Sequence, residues 1–429
     1  MTVRRCQVVV AGAGLAGLTA ADALTGAGAD VRVLEAAPAV GGRVRGAAVS
    51  SGPVVDTGAE FVGHNHRRLR ALLAELGLRT EPSGLGRAPV LWRLPGGSRV
   101  SRVPPVPVAE LARLGRGWWR LRRGALALDP GSPWRSPEAA GLDESSLTEW
   151  LAARGVGRAG LDVTEAVLGG FATVPADRLS AAHAAWWIAA ARGLLAALRS
   201  GQERIVTGGA HRLPPSLAGR LRHGVRTGNP VHALLEHARG VEVRTAEETW
   251  AADAAIVALP VPALRAVELD PAPPAPWRAA VEALRYGSAV KIAAVSTVPP
   301  PVTHRAVLGG HPLAVAWRHG RTLAGMGTTG APTAADLAAA FGLRAGDLAG
   351  VVCTDWTREP HIGGSYLACA PGQLTGHVAA LAGGDTRRIR FAGTERGGWP
   401  NSMEGAVRSG QAAARQVLGG AYGYWSDFS

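Results

Sequence analysis

The first clear hydrophobic pattern is the apolar run at residues 8–10, which leads into Gly12-Ala13-Gly14-Leu15-Ala16-Gly17 and then LTAADALTGAG. An apolar run, a glycine turn and a small-residue stretch at helix period predict strand, turn and helix in succession. The next apolar segment, VRVLE, ends on Glu35, 18 residues after Gly17. Each piece of such a unit has a job: Gly12 makes the tight turn, Gly14 admits a pyrophosphate to the backbone, and Gly17 seats the helix close on the sheet. The helix N-terminus offers free N–H groups and a positive dipole end, and Glu35 is placed for the ribose hydroxyls of an adenosine. Further on, LTEWLAARG, TEAVLGGFA and SAAHAAWWIAAARGLLAAL are apolar at helix spacing. His183, Trp186 and Trp187 in the last of these read as core. Residues 230–243 read as two short strands around a turn, followed by a strand over 254–259. Proline-rich breaks fall at 104–107, 271–276 and 299–301.

After Glu35 the chain reads AAPAVGGR and then, past one more apolar stretch, Asp56-Thr57-Gly58-Ala59-Glu60-Phe61-Val62-Gly63. Glu-x(5)-Gly-Gly-Arg followed by this D-x-G-A-E-F-V segment resembles the flavin-containing amine oxidase family, which includes monoamine and polyamine oxidases. Residues 389–411, IRFAGTERGGWPNSMEGAVRSGQ, are similar to that family's closing segment, and 206–213 and 255–264 also fit. The resemblance therefore spans nearly the whole chain. It implies an α/β fold: a doubly wound, Rossmann-like FAD-binding domain over 1–75, 203–270 and 360–422, and a mixed α+β substrate domain over 76–202 and 271–359. A short C-terminal tail occupies 423–429. The resemblance also implies FAD contacts at Gly42, Arg43, Gly58, Ala59, Gly393 and Glu395, and adenine against the backbone of Val231. The helix opened by Met403 is expected to aim its N–H groups at the flavin ring and stabilise reduced-flavin charge.

Composition narrows the class. A chain of 429 residues is too long for one core and suggests two domains. Cys6, Cys353 and Cys369 are too few and too scattered for a disulfide framework or a metal cluster. No signal peptide is expected before a strand that begins by about residue 6, and the C-terminus lacks an anchoring hydrophobic helix, so a cytoplasmic enzyme is expected. The formal net charge of +13 invites a nucleic-acid reading, but the arginines are dispersed and no nucleic-acid motif is present. The local exception is LARLGRGWWRLRRGALAL over 111–128, with Arg113, Arg116, Arg120 and Arg123 at helical spacing beside Trp118 and Trp119. Two readings stand: a solvated basic face whose tryptophans pack inward, or a docking surface for a membrane or an acidic partner.

Of 46 basic residues only one, Lys291, is lysine. Its setting, GSAVKIAAV, is an apolar strand in which an ammonium is costly without a partner. Lysine also changes pKa readily on burial where arginine does not. The segment resembles the family's lysine strand, whose ammonium holds a water against flavin N5; the alternative is a lysine reaching out from a strand end. HIGGSYL over 361–367 resembles the flavin-linking motif of the covalent amine oxidases, with Ser365 where the cysteine stands, so FAD is expected to be non-covalent. Tyr366 falls on one wall of the family's aromatic cage. Ser402 replaces the tyrosine of the opposite wall, leaving Trp399 either to close the cage or to pack on the flavin. Glu60 is placed to receive a substrate ammonium or act as a base, or else to pair with a nearby arginine or His64. Phe61 and Val62 stand where related amino-acid oxidases carry an arginine, which argues against an α-amino acid.

The expected activity is oxidation of an amine C–N bond to an imine by hydride transfer to FAD, with dioxygen giving hydrogen peroxide. The substrate is expected to be a bulky or cyclic amine of secondary metabolism. Two alternatives are a flavin-dependent desaturase of a larger metabolite and a non-catalytic flavoprotein.

Overall fold

The computed structural model describes residues 3–50 and 52–419, so the tail assigned to 423–429 lies outside the described residues. The opening unit forms as its pattern predicts: strand Val3–Ala11, helix Leu15–Gly26, strand Val31–Leu34. The first strand begins at Val3, ahead of the apolar run, with Arg4 and Arg5 on its exposed end and Val8–Ala11 buried. It lies parallel to Val31–Leu34 on one side and to Thr249–Val257 on the other. Across the sheet the order is Val225–Arg226, Val31–Leu34, Val3–Ala11, Thr249–Val257, Gly240–Thr245, Val231–His237 and Glu268–Asp270. Ile389–Phe391 pairs parallel with the far end of Thr249–Val257. The C-terminal helix Met403–Gly419 packs on Leu15–Gly26, so the two ends of the chain build one core. This mainly parallel sheet carries long apolar runs because its central strands are covered on both faces.

The strand expected over 254–259 instead spans Thr249–Val257. Trp250, 2% exposed, pairs with Val243 and makes the early residues the return arm of a hairpin. Exposed Asp253 breaks the apolar run and hides that arm from a hydrophobicity reading.

A second sheet is mostly antiparallel: Leu348–Asp355, Val290–Ser296, Thr322–Gly327, Val315–His319, Ala306–Leu308, Val90–Leu94 and Gly97–Ser101, in that order. Lys291 lies in register with Met326 and, one strand further on, Val315, so Trp317 and His319, two and four residues after Val315, share its face of the sheet. Helices of the 108–200 region pack beside it. The stretch SAAHAAWWIAAARGLLAAL is two helices, Ala181–Ala190 and Leu194–Ser200, bent by 83°. The break falls at Arg192 and Gly193, with φ of 60° and 150°. His183 and Trp186 are 0% and 1% exposed, and the His183 ring meets Trp186 and Trp187 edge-on, so they are core as expected. Among the described residues no single helix is long and apolar enough to cross a membrane.

Candidate active site

The nucleotide end is made mostly of backbone. Gly12 takes φ of +98°, and a Cβ on Gly17 would sit 1.9 Å from the Gly12 carbonyl oxygen, so only glycine allows this turn and this helix seat. Gly14 caps the helix without a side-chain hydrogen bond, no acid occupies the first turn, and a Cβ there would meet nothing within 4 Å. The helix thus presents unspent N–H groups to open space, the condition for holding an anion. Gly41 donates its N–H to the Ala13 carbonyl at 2.9 Å, and Gly42 lies beside Gly14, forming a second wall.

Glu35 is buried and accepts from the N–H groups of Ala13 at 2.6 Å and Ala37 at 2.8 Å. Asn229 donates its N–H to the Glu35 carbonyl, leaves its own side-chain oxygen buried without a partner, and stands two residues before Val231. An orphaned buried acceptor, a carboxylate with spare lone pairs and an open helix end together fit the adenosine diphosphate part of FAD.

The other end brings several distant segments together. The Ala59 N–H donates to the Arg43 carbonyl, and a Cβ on Gly58 would lie 2.1 Å from the same oxygen, so the Asp56–Gly63 turn lies flat on the Gly-Gly-Arg loop. The Arg43 guanidinium donates to the Ser365 carbonyl at 3.0 Å, stacks over Tyr286, and lies 4.0 Å from Glu395. Glu395 accepts from the Tyr286 hydroxyl at 2.6 Å. Beside it, Gly393 donates to the Ser409 hydroxyl, and Thr394 keeps a buried hydroxyl without a partner. Met403 is buried at the start of its helix, while Glu404 next to it accepts from the N–H groups of Arg68 and Leu69 and caps the helix Arg67–Glu75. Ser402 accepts from the Gly405 N–H, which takes up one donor of that first turn.

Lys291 is 3% exposed, so its side chain does not reach out to solvent from the strand end. Its ammonium donates to the Gly58 carbonyl at 2.9 Å and to Glu60 Oε2 at 3.0 Å, and it lies 5.2 Å from the centre of the Trp317 ring. Trp317 Nε1 is 3.1 Å from each Glu60 oxygen. His319 Nε2 approaches Oε1 to 2.9 Å without the alignment of a hydrogen bond. Burial acts most strongly on Glu60 and pushes its pKa up, but the Lys291 charge and the His319 contact together outweigh it and hold the carboxyl at about 2. Both carboxylate oxygens are therefore committed. Glu60, expected to receive a substrate ammonium, act as a base or pair with an arginine or His64, is paired here with Lys291. Its partner is neither an arginine nor His64, which pairs with Glu203.

Tyr366 donates its hydroxyl to the Phe171 carbonyl, and burial raises its pKa. Its backbone is tied to Gly287, the start of the lysine strand's approach. The Ser365 hydroxyl bonds to Thr173 at 2.7 Å and donates to the Gly287 carbonyl at 2.9 Å, so its proton is committed within the protein. Trp399 meets the ring of His66 edge-on at 5.1 Å, and burial holds His66 at about 4 and therefore neutral. Sequence reading missed Trp317, His319, His66 and Tyr286. The alternation of AVAWRHG, which puts Trp317 and His319 on one face of a strand, was the available signal for two of them.

Comparison with known proteins agrees with the motifs. The family described as flavin containing amine oxidoreductase matches residues 15–322 and 332–418. AofH of Mycobacterium tuberculosis, provisionally named a flavin-containing monoamine oxidase, is 31% identical over 96% of each chain. The L-amino acid dehydrogenase of a Synechocystis strain is 27% identical over 96% of this chain and 95% of its own. Among solved structures, putrescine oxidase superposes with a TM-score of 0.88 at 23% identity, covering 97% of this chain and all of the other. Cyclohexylamine oxidase from Brevibacterium oxydans superposes with a TM-score of 0.85 at 24% identity over 96% and 99%.

Proposed function

The chain belongs to the flavin-containing amine oxidoreductases, enzymes that use FAD, and from that premise we propose that it oxidises a bulky or cyclic monoamine to the imine. When bound, FAD would supply the acceptor for the hydride on the carbon beside nitrogen and a route for the electrons to dioxygen, with hydrogen peroxide as the second product. We assign FAD binding to 1–75, 203–270 and 360–422, and substrate binding to 76–202 and 271–359. Glu35, the open turn at Gly12–Gly17 and the backbone of Val231 hold the adenosine end. Arg43, Gly58, Ala59, Gly393, Glu395 and the Met403 helix hold the flavin end. The cofactor is retained without a covalent bond, since Ser365 offers a hydroxyl where linkage needs a thiol.

The carrying observation is the neutralised pair of Glu60 and Lys291. An ammonium has three donors, and Lys291 spends two on Gly58 and Glu60, leaving one to hold a water at the reacting centre. A Glu60 whose charge is already balanced has none to spend on the far ammonium of a diamine. A monoamine, neutral at nitrogen when it reacts, is the better match. With Ser402 too short to face Tyr366, the slot is open on one side, which favours a ring over a slim arylalkylamine. Tyr366 and Trp399 orient that ring, and Trp399 is itself held by His66.

Anaerobic bleaching of the holoenzyme by cyclohexylamine, benzylamine, putrescine and an L-amino acid tests this reading. Rapid bleaching by the cyclic amine, weak response to the others and equimolar peroxide in air are expected. Faster bleaching by putrescine or the amino acid would overturn the substrate class, and bleaching without peroxide would make the enzyme a dehydrogenase. Acid precipitation is expected to free intact FAD into the supernatant; flavin retained by the precipitate would disprove non-covalent binding.

A further inference from the structure

The helix Val108–Ala125 turns one face to the protein and leaves the other bare. Its inner face buries Leu114, Gly117, Leu121 and Ala125, and its one acidic residue, Glu110, also points inward and accepts from the Gly157 N–H. Trp118 packs on the core, as the inward reading of the tryptophans requires, but Trp119 does not. Val108 is 81% exposed, Trp119 51% and Leu126, just past the helix end, 46%. At about 100° per residue these three lie within about 20° of one another, one apolar line along a helix about 27 Å long. Arg116, Arg120 and Arg123 form an exposed row on the flank of that line. Neither Arg116 nor Arg120 has an acid within ion-pair distance among the described residues, and Arg123 lies over the Trp119 ring.

We propose that this face docks the enzyme on an anionic phospholipid surface, with the Val108–Trp119–Leu126 line entering the headgroup boundary and the three arginines facing lipid phosphates. A cylinder resting on a plane touches it along a line, and here that line is apolar, with cations where the headgroups would be. Exposed tryptophan is the residue suited to such a boundary, having an apolar body and a polar tip. A second copy of the chain fits poorly, because a two-fold contact through this face would set arginine row against arginine row. A protein groove fits less well too, since the face is a single convex helix rather than a hollow or a broad patch.

The test is cosedimentation of the full-length holoenzyme with phosphatidylcholine vesicles, with and without phosphatidylglycerol, at low and high salt. Binding is expected only with the anionic lipid, weakening as salt rises. Combined Arg116→Glu, Arg120→Glu and Arg123→Glu should lower vesicle affinity at least about tenfold, and Trp119→Ala severalfold, with flavin content and activity in buffer unchanged. A blue shift of tryptophan emission on adding anionic vesicles, absent in Trp119→Phe, reports insertion of this side chain. No binding to anionic vesicles at low salt would overturn the proposal and leave the face to an acidic protein. Undiminished binding by the triple variant would also overturn it, as would a dimer in solution that Trp119→Ala dissolves.

Discussion

The two ends of the cofactor site are built by opposite means. At the nucleotide end, function resides in backbone: a glycine turn, an open helix terminus and one acid, all within residues 12–35. At the reacting end it resides in side chains from distant segments, with Glu60 meeting Lys291 across 231 positions and Trp317 across 257. The first kind of site tolerates little change of residue type but needs little tertiary help. The second exists only when two sheets and a turn are all in place. Each end should therefore fail in its own way when mutated.

The largest effect is expected at Lys291. Lys291→Met should keep FAD yet slow flavin reduction or reoxidation by one to several decades, each decade being about 1.4 kcal/mol of barrier. It should also destabilise the fold, because breaking a buried pair leaves Glu60 charged and unpaired, a loss of about 3–5 kcal/mol. Adding Glu60→Gln should recover much of the stability and none of the rate. Stopped-flow traces and urea melts of the cycle separate the two. If the single variant reacts at the wild-type rate, Lys291 is structural and the contrast between the ends collapses.

Acid should expose the buried neutral groups. Burial depresses His183 from 6.5 to about 3, so the folded protein favours its neutral form. Its stabilising contribution is complete above the unfolded value and is lost as pH falls from about 6.5 toward 3. Glu60, held at about 2, adds a loss of the same sign, confined to the interval below about 4.5. Melting temperature should therefore begin to fall below pH 6.5, before carboxylates titrate, and His183→Gln should flatten that first segment in part, the remainder coming from His66, which burial holds at about 4. A wild-type melting temperature constant between pH 6.5 and 5 would show that neither His183 nor His66 is held neutral by burial.

Glu35→Ala tests the other end. Losing a charged partner for the ribose should weaken FAD binding by about 1.5–3 kcal/mol, roughly tenfold to a hundredfold, while saturated enzyme turns over normally. Flavin retention after desalting reads it out. Unchanged affinity would mean that Glu35 serves the turn alone, through Ala13 and Ala37.

The same division explains what could be read in advance. The opening strand, turn, helix and second strand are local, so the spacing of Gly12, Gly14, Gly17 and Glu35 carries them. Lys291 was visible as an anomaly, one lysine in an arginine-rich chain placed in an apolar strand. Its partners were not, because nothing near residue 291 names Glu60, Trp317 or His319: strand register puts Trp317 and His319 on its face, and the packing of the Gly58 turn against the sheet brings Glu60. The pairing of Glu60 was hidden for the same reason: beside an open cofactor turn a carboxylate looks free, and only the neighbouring sheet shows its partners. The bent helix pair escaped because Arg192 and Gly193 interrupt the backbone but not the apolar period.

The smallest effect is the one that probes how finely the reacting end is tuned. Trp317 gives its indole N–H to Glu60, and its ring centre lies 5.4 Å from that of Phe61 and 5.2 Å from the Lys291 ammonium. Trp317→Phe removes the donor but retains an aromatic face for both neighbours. Glu60 then keeps Lys291 and His319, so the carboxylate stays ionised and the pair stays closed. The loss is one hydrogen bond to a charged group, about 1.5–3 kcal/mol if the pair cannot adjust, and less if His319 swings into line. We therefore expect flavin reduction to slow by roughly three- to thirtyfold, with FAD affinity unchanged and the acid limb of the stability profile moved toward neutrality, because Glu60 would be easier to protonate. The reduction rate and the stability profile must move together. A slower rate with an unmoved acid limb would place Trp317 against substrate instead of behind Glu60, making it part of the pocket wall. No change in either would show that Lys291 and Glu60 hold their geometry without the strand behind them.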